Sequence, residues 1–244
     1  MKPSEIDKVR LPFSLYDFFG YLMPGATFVG LIFFSRDLMA FYSIVFNSHD
    51  FMTHQLVFPR VLVLLEASPI TSFILSIIIA YVIGHVLSSL SSFVLERFIV
   101  ELWLKWPAVN LFSHKSNAYL FKKYRRPYNS SFQDVFVSTF KKRFDIAEPM
   151  PHELFWLSFE EIALRAPAAF ARTTHFLNLY GFSRTLSLAF FIAALFNSLF
   201  SVKLAILYLI ISVLLFWNYL KLLRRLNDEV FRAFYTVETG SHSA

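Results

Sequence analysis

The 244-residue chain contains no cysteine. That excludes disulfides, thiolate catalysis and cysteine-based zinc sites together. Charge is also scarce, at 16% of residues against 56% hydrophobic, where a soluble domain carries about a quarter charged. The missing charge is concentrated in windows. Asp, Glu, Lys and Arg are absent from Phe18–Ser35, Ala67–Leu95, Thr185–Val202 and Leu204–Leu220. A hydrocarbon core of about 30 Å takes about 17–25 helical residues, so each window is long enough to span. Backbone groups in lipid must be satisfied within the segment, which makes these windows helices.

These observations predict an all-α membrane protein. It has four transmembrane helices and a helical, basic cytoplasmic region between the second and third. Residues 1–97 form an N-terminal membrane hairpin, with spans at about 18–35 and 67–95 and an external segment at 36–66. Residues 98–182 are the cytoplasmic helical and loop region, too short and too interrupted for an independent domain. Residues 183–221 form a C-terminal hairpin, with spans at about 183–202 and 204–220. Residues 222–244 are a cytoplasmic helix and tail. "QLVFPRVLVLLEASP" (55–69) is apolar but carries Pro59, Arg60 and Glu66, and reads as interfacial or re-entrant. Pro24 and Gly25 are expected to kink or break the first span. The uncharged part of the second would be about 43 Å long at about 1.5 Å per residue, which calls for tilt or protrusion.

The formal net charge is +6, and its distribution sets an orientation. Of the 23 Lys and Arg, only Arg36, Arg60 and Lys203 fall in the two loops expected outside. By the positive-inside rule both termini are cytoplasmic. The apolar N-terminal segment starts late and lacks a small-residue cleavage site, so it reads as a retained signal anchor. A bacterial inner membrane is the expected location.

In the second span Ser72, Ser76, Ala80, Gly84, Ser88 and Ser92 recur at every fourth residue. Small side chains on one helix face allow close backbone approach. Thr185, Ala189, Ala193, Asn197 and Ser201 repeat the pattern in the third span, so the two stripes suggest one tight seam, within the monomer or between copies in a homo-oligomer.

His85 lies one step off the stripe, and an intramembrane ionisable residue is a functional candidate. It reads either as a neutral imidazole bonded to Tyr81 or Ser89, or as part of a pore or proton path. No ligand set accompanies it to hold a metal, and the loose cluster of His49, Asp50 and His54 has no ligand spacing. Asp17 and Arg184 flank spans at the same boundary and are a possible interfacial pair.

Lys122, Lys123, Arg125, Arg126, Lys141, Lys142 and Arg143, interleaved with tyrosines, form a basic surface for anionic lipid headgroups or, less directly, for a nucleotide or nucleic acid. "LKLLRRLNDEVFRAF" (220–234) aligns Leu223, Leu226, Val230 and Phe234 on one stripe, a surface for self-association or a cytoplasmic protein partner. Glu153, Glu160 and Glu161 read as a solvated helix face. No catalytic residue, cofactor motif or metal site stands out, so a non-enzyme is expected.

"SLYDFFGYLMPG", "YVIGHVLSSLSS" and "NLYGFSRTLSLAF" resemble stretches of small uncharacterised bacterial multi-pass membrane proteins, some of them found beside antiviral defence genes. The resemblance implies a non-enzymatic membrane component and, with the stripes, an oligomeric effector or sensor that perturbs permeability. A membrane anchor or scaffold, and a small transporter or channel using His85, are the alternatives. Four spans without an inverted repeat weigh against a carrier.

Overall fold

The computed structural model describes residues 17–32, 69–113, 121, 123–199 and 201–240, and among them it is mostly helical, with no strand. Helix α1 is Phe18–Ile32 and α2 is Pro69–Ser91, which continues as a π-helical stretch over Ser92–Leu104. The remaining helices are α3 (Pro107–Leu111), α4 (Ser130–Phe144), α5 (Pro151–Arg165), α6 (Pro167–Ser198) and α7 (Val202–Gly240). Three helical stretches are long and apolar enough to cross a membrane: Ile70–Leu111, Pro167–Ser198 and Val202–Gly240. The described part of the expected first span is a shorter apolar helix. Residues 33–68, including the external segment and His49, Asp50 and His54, lie outside the described residues.

Local chemistry explains several boundaries. Pro24 cannot donate a hydrogen bond and its ring crowds the carbonyl four residues back. The chain meets this with a wide π turn over Phe18–Leu22, closed by the Met23 amide on the Phe18 carbonyl, and α1 runs on rather than breaking at Pro24. Helix α5 opens with Pro151 at its first position and Glu153 accepting from the Met150 amide at 2.7 Å. Pro167 pushes Ala166 out of the helical region, to φ −136° and ψ 71°, which separates α5 from α6. Ser201 caps α7, its hydroxyl accepting from the Leu204 amide at 3.5 Å.

The chain divides into two compact units, Met1–Ser92 with Gly181–Phe216 and Phe93–Tyr180 with Trp217–Ala244. In the first unit α1 and α2 meet through glycine. A Cβ at Gly25 would overlap the Ala80 carbonyl oxygen, and one at Gly84 would overlap the Tyr21 carbonyl oxygen. Helices α6 and α7 are clasped by reciprocal bonds: the Ser187 hydroxyl donates to the Ser212 carbonyl at 3.0 Å, and the Ser212 hydroxyl to the Ser187 carbonyl at 2.8 Å. Ala193, Ala194, Leu204 and Tyr208 are buried below them. Ile70, Phe73, Ile78, Val82 and Val86 on α2, and Ile206, Ile210, Val213 and Leu214 on α7, are exposed. A helical surface this apolar suits lipid rather than water.

The second unit has an aromatic core. Phe136, Phe140, Phe231 and Phe234 are fully buried together with Leu111, Ile162 and Val230, and burying each such side chain contributes about 1.5–3 kcal/mol. Helix α7 supplies the part of this core that the central region lacks. Leu223, Leu226, Val230 and Phe234 are accordingly buried, where their stripe alone suggested a surface for a partner.

Candidate functional site: a basic, aromatic groove beside α7

The end of the uncharged run of α7 and the two turns after it place Trp217, Leu220, Lys221, Arg224, Arg225 and Asp228 along one wall of a groove of about 710 Å³. Phe121, Lys123 and Tyr124 form the facing wall. Phe121 is held at φ 58°, a left-handed conformation that costs a non-glycine residue roughly 1–2 kcal/mol. Its ring lies 5.4 Å from that of Trp217.

The facing loop is fixed from behind. Arg224 donates to the Tyr124 carbonyl, and to the Arg126 carbonyl at 2.7 Å. Tyr124 donates its phenol to the Lys105 carbonyl at 3.1 Å, and Asn110 reaches the Leu104 and Lys105 carbonyls at 2.9 and 3.0 Å. Arg125 donates to the Trp103 carbonyl. Together these side chains satisfy the orphan carbonyls where the Ser92–Leu104 stretch ends. Burial raises the pKa of the Tyr124 phenol; burial and then the bond to Asp228 raise that of Tyr128. Both phenols therefore stay protonated and act as donors. Asp228 accepts from Tyr128 at 2.5 Å and pairs with Arg232 at 3.0 Å. Lys123, Lys221 and Arg225 are exposed.

The basic residues of the two clusters 122–126 and 141–143 have different surroundings. Lys122 lies outside the described residues. Lys123 lines the groove, whereas Arg125 and the main chain of Arg126 serve the loop. Lys141 and Lys142 are exposed on α4. Arg143 pairs with Glu161 at 2.6 Å and Glu238 at 3.6 Å, and Arg165 joins the same two carboxylates. Glu161 is therefore no solvated face. Burial alone would push its carboxyl up, but hydrogen bonds from Arg165 and Arg143 outweigh burial and hold it below the usual range. Glu153 caps α5.

Lys221, Arg224 and Arg225, with Trp217, were not singled out as a site by sequence reasoning. Their spacing of four, three and one places them on one face of a helix, and that signal was present but masked by the hydrophobic stripe beside it.

The small-residue stripe is divided among different neighbours. Ala80 and Gly84 face α1. Ser88 is buried toward α6 beside Ser91, which is not on the stripe; Ser91 lies 3.4 Å from Thr185. Ser72 accepts from Ser76 within α2, at 2.8 Å, and Ser76 is exposed. Ser92 begins the π-helical stretch. Ala189, Ala193 and Asn197 are buried, Ala193 in the cluster with Leu204 and Tyr208 of α7. Ala80 and Gly84 thus lie against Tyr21 and Gly25 of α1, and Ser88 and Ser91 against Arg184 and Thr185 of α6.

Arg184 is buried, donating to Ser91 at 3.0 Å and to the Ser88 hydroxyl at 3.4 Å. Asp17 precedes the first turn of α1. His85 is half-buried beside two aromatic rings. It stacks on Tyr21 at 3.7 Å with 16° between planes, and meets Tyr81 edge-on at 4.5 Å. Among the described residues no group of three His, Cys, Asp or Glu could hold a metal ion.

No family model, no curated protein and no solved structure matches the chain.

Proposed function

We propose that the chain is a non-enzymatic four-span protein of a bacterial inner membrane, with both termini and the second compact unit in the cytoplasm. It works there as an oligomeric effector: the cytoplasmic unit senses a ligand or partner, and the membrane unit changes permeability. The observation that carries this reading is the split of α6 and α7. Each contributes an apolar stretch to the first unit and a stretch closed around a phenylalanine core to the second. A binding event in the second unit therefore acts on helices that continue into the first. The stack of His85 on Tyr21 and its edge contact with Tyr81 support a packing role for it.

Overproduction in bacterial cells is expected to collapse the membrane potential reported by a voltage-sensitive dye. Gly84→Ala at matched membrane abundance should do so less. Unchanged potential in every condition, with a second protein recovered stably on the chain, would make it a passive anchor.

A further inference from the structure

We infer that the groove beside α7 is a binding site for the phosphate of an anionic membrane-lipid headgroup, with Lys221 and Arg225 as its principal ligands. The inference rests on the membrane reading above. Lys221 and Arg225 are one turn apart on α7, a spacing at which like charges repel. Lys123 faces them across the groove. Among the described residues none of these three cations forms an ion pair, whereas the buried carboxylates Glu161 and Glu238 are each held by arginines. The carboxylate among the residues lining the groove, Asp228, is already paired with Arg232 and accepts a hydrogen bond from Tyr128. What remains among the described residues of the groove is a set of cations outside any ion pair.

Arg224 spends donors on the carbonyls of Tyr124 and Arg126, so the facing wall is fixed before a ligand arrives, which lowers the ordering cost of binding. Trp217 and Phe121 supply an apolar edge next to the cations. Trp217 lies at the end of the uncharged run Leu204–Leu220, where tryptophan settles at headgroup depth. A glycerophosphate matches this pairing, with its apolar side on the indole and its phosphate on the cations. A soluble nucleotide shares the phosphate chemistry but does not need the site to adjoin an uncharged helix.

The test uses the full chain in phosphatidylcholine nanodiscs, with and without phosphatidylglycerol. The readouts are lipid retained, by native mass spectrometry, and the thermal midpoint. Wild type should retain phosphatidylglycerol and melt higher with it. Lys221→Gln with Arg225→Gln should weaken retention about tenfold or more, and Lys221→Arg with Arg225→Lys should restore it. Lys141→Gln with Lys142→Gln, on α4, should leave it unchanged. Equal weakening by both glutamine pairs would overturn the groove in favour of general surface charge. Stabilisation by ATP or inorganic phosphate in pure phosphatidylcholine discs would overturn the lipid assignment. Recovery of the chain in the soluble fraction would instead sink the membrane reading, a failure distinguishable from that of the groove.

Discussion

Gly84→Ala lowers the stability of the membrane unit by about 1–3 kcal/mol, the usual cost of overpacking. A Cβ at that position overlaps the backbone of Tyr21, not the end of a side chain that could swing away. Relief would require α1 and α2 to separate, and Tyr21 would then lose its stack on His85. Gly25→Ala is expected to behave alike, since its new methyl would meet the Ala80 carbonyl from the other side. Gly30→Ala is the control: nothing lies within 4 Å of a Cβ there, so the change should be neutral or slightly stabilising through helix propensity. Thermal unfolding in detergent checks all three. Equal melting of Gly84→Ala and Gly30→Ala would show that α1 and α2 are not in close contact.

Phe136→Ala is expected to have the largest effect of any single substitution in the second unit, about 3–5 kcal/mol. The side chain is fully buried, with ring centroids 5.1 Å from Phe112, 5.3 Å from Phe231 and 5.5 Å from Phe234. Truncation leaves a cavity bordered by α4 and by the end of α7, two elements that rigid aromatic neighbours prevent from closing in. Val135→Ala, the adjacent but exposed position, should change stability by no more than about 0.5 kcal/mol. Near-UV circular dichroism and the protease sensitivity of Phe93–Tyr180 would report the difference. Similar stability of the two variants would mean that the phenylalanine cluster is not the core.

Both sites show where the sequence was legible. The three long apolar helices could be read because lipid excludes charge, so their windows were marked by an absence that needs no partner to interpret. The aromatic core could not be read in the same way. Val230, Phe231 and Phe234 meet Phe136 and Phe140 across about ninety residues of chain, and periodicity reports which face of a helix is buried but not what buries it. Leu223, Leu226, Val230 and Phe234 therefore read as one apolar face in the sequence, and the structure supplies what covers it.

The same limit applies to Gly84. The four-residue repeat signalled close approach, yet Ala189 and Ala193 gave α6 an equally small face. The choice of Tyr21 and Gly25 as neighbours depends on the π turn before Pro24, which sequence spacing does not encode. The groove was hidden for an electrostatic reason. Clustered cations at 122–126 and 141–143 stand out in the sequence, whereas Arg143 is used to neutralise buried carboxylates and Lys221 and Arg225 lie in a leucine-rich stretch.

The orientation of the chain is tested most directly by thiol labelling, which the absence of native cysteine makes clean. Ser130 is exposed at the start of α4, in the unit assigned to the cytoplasm, and Ser48 lies in the segment assigned to the outside. In whole cells an impermeant thiol reagent should modify Ser48→Cys and spare Ser130→Cys, which should react only after the membrane is permeabilised. Labelling of Ser130→Cys in intact cells with protection of Ser48→Cys would contradict the four-span, cytoplasm-facing arrangement.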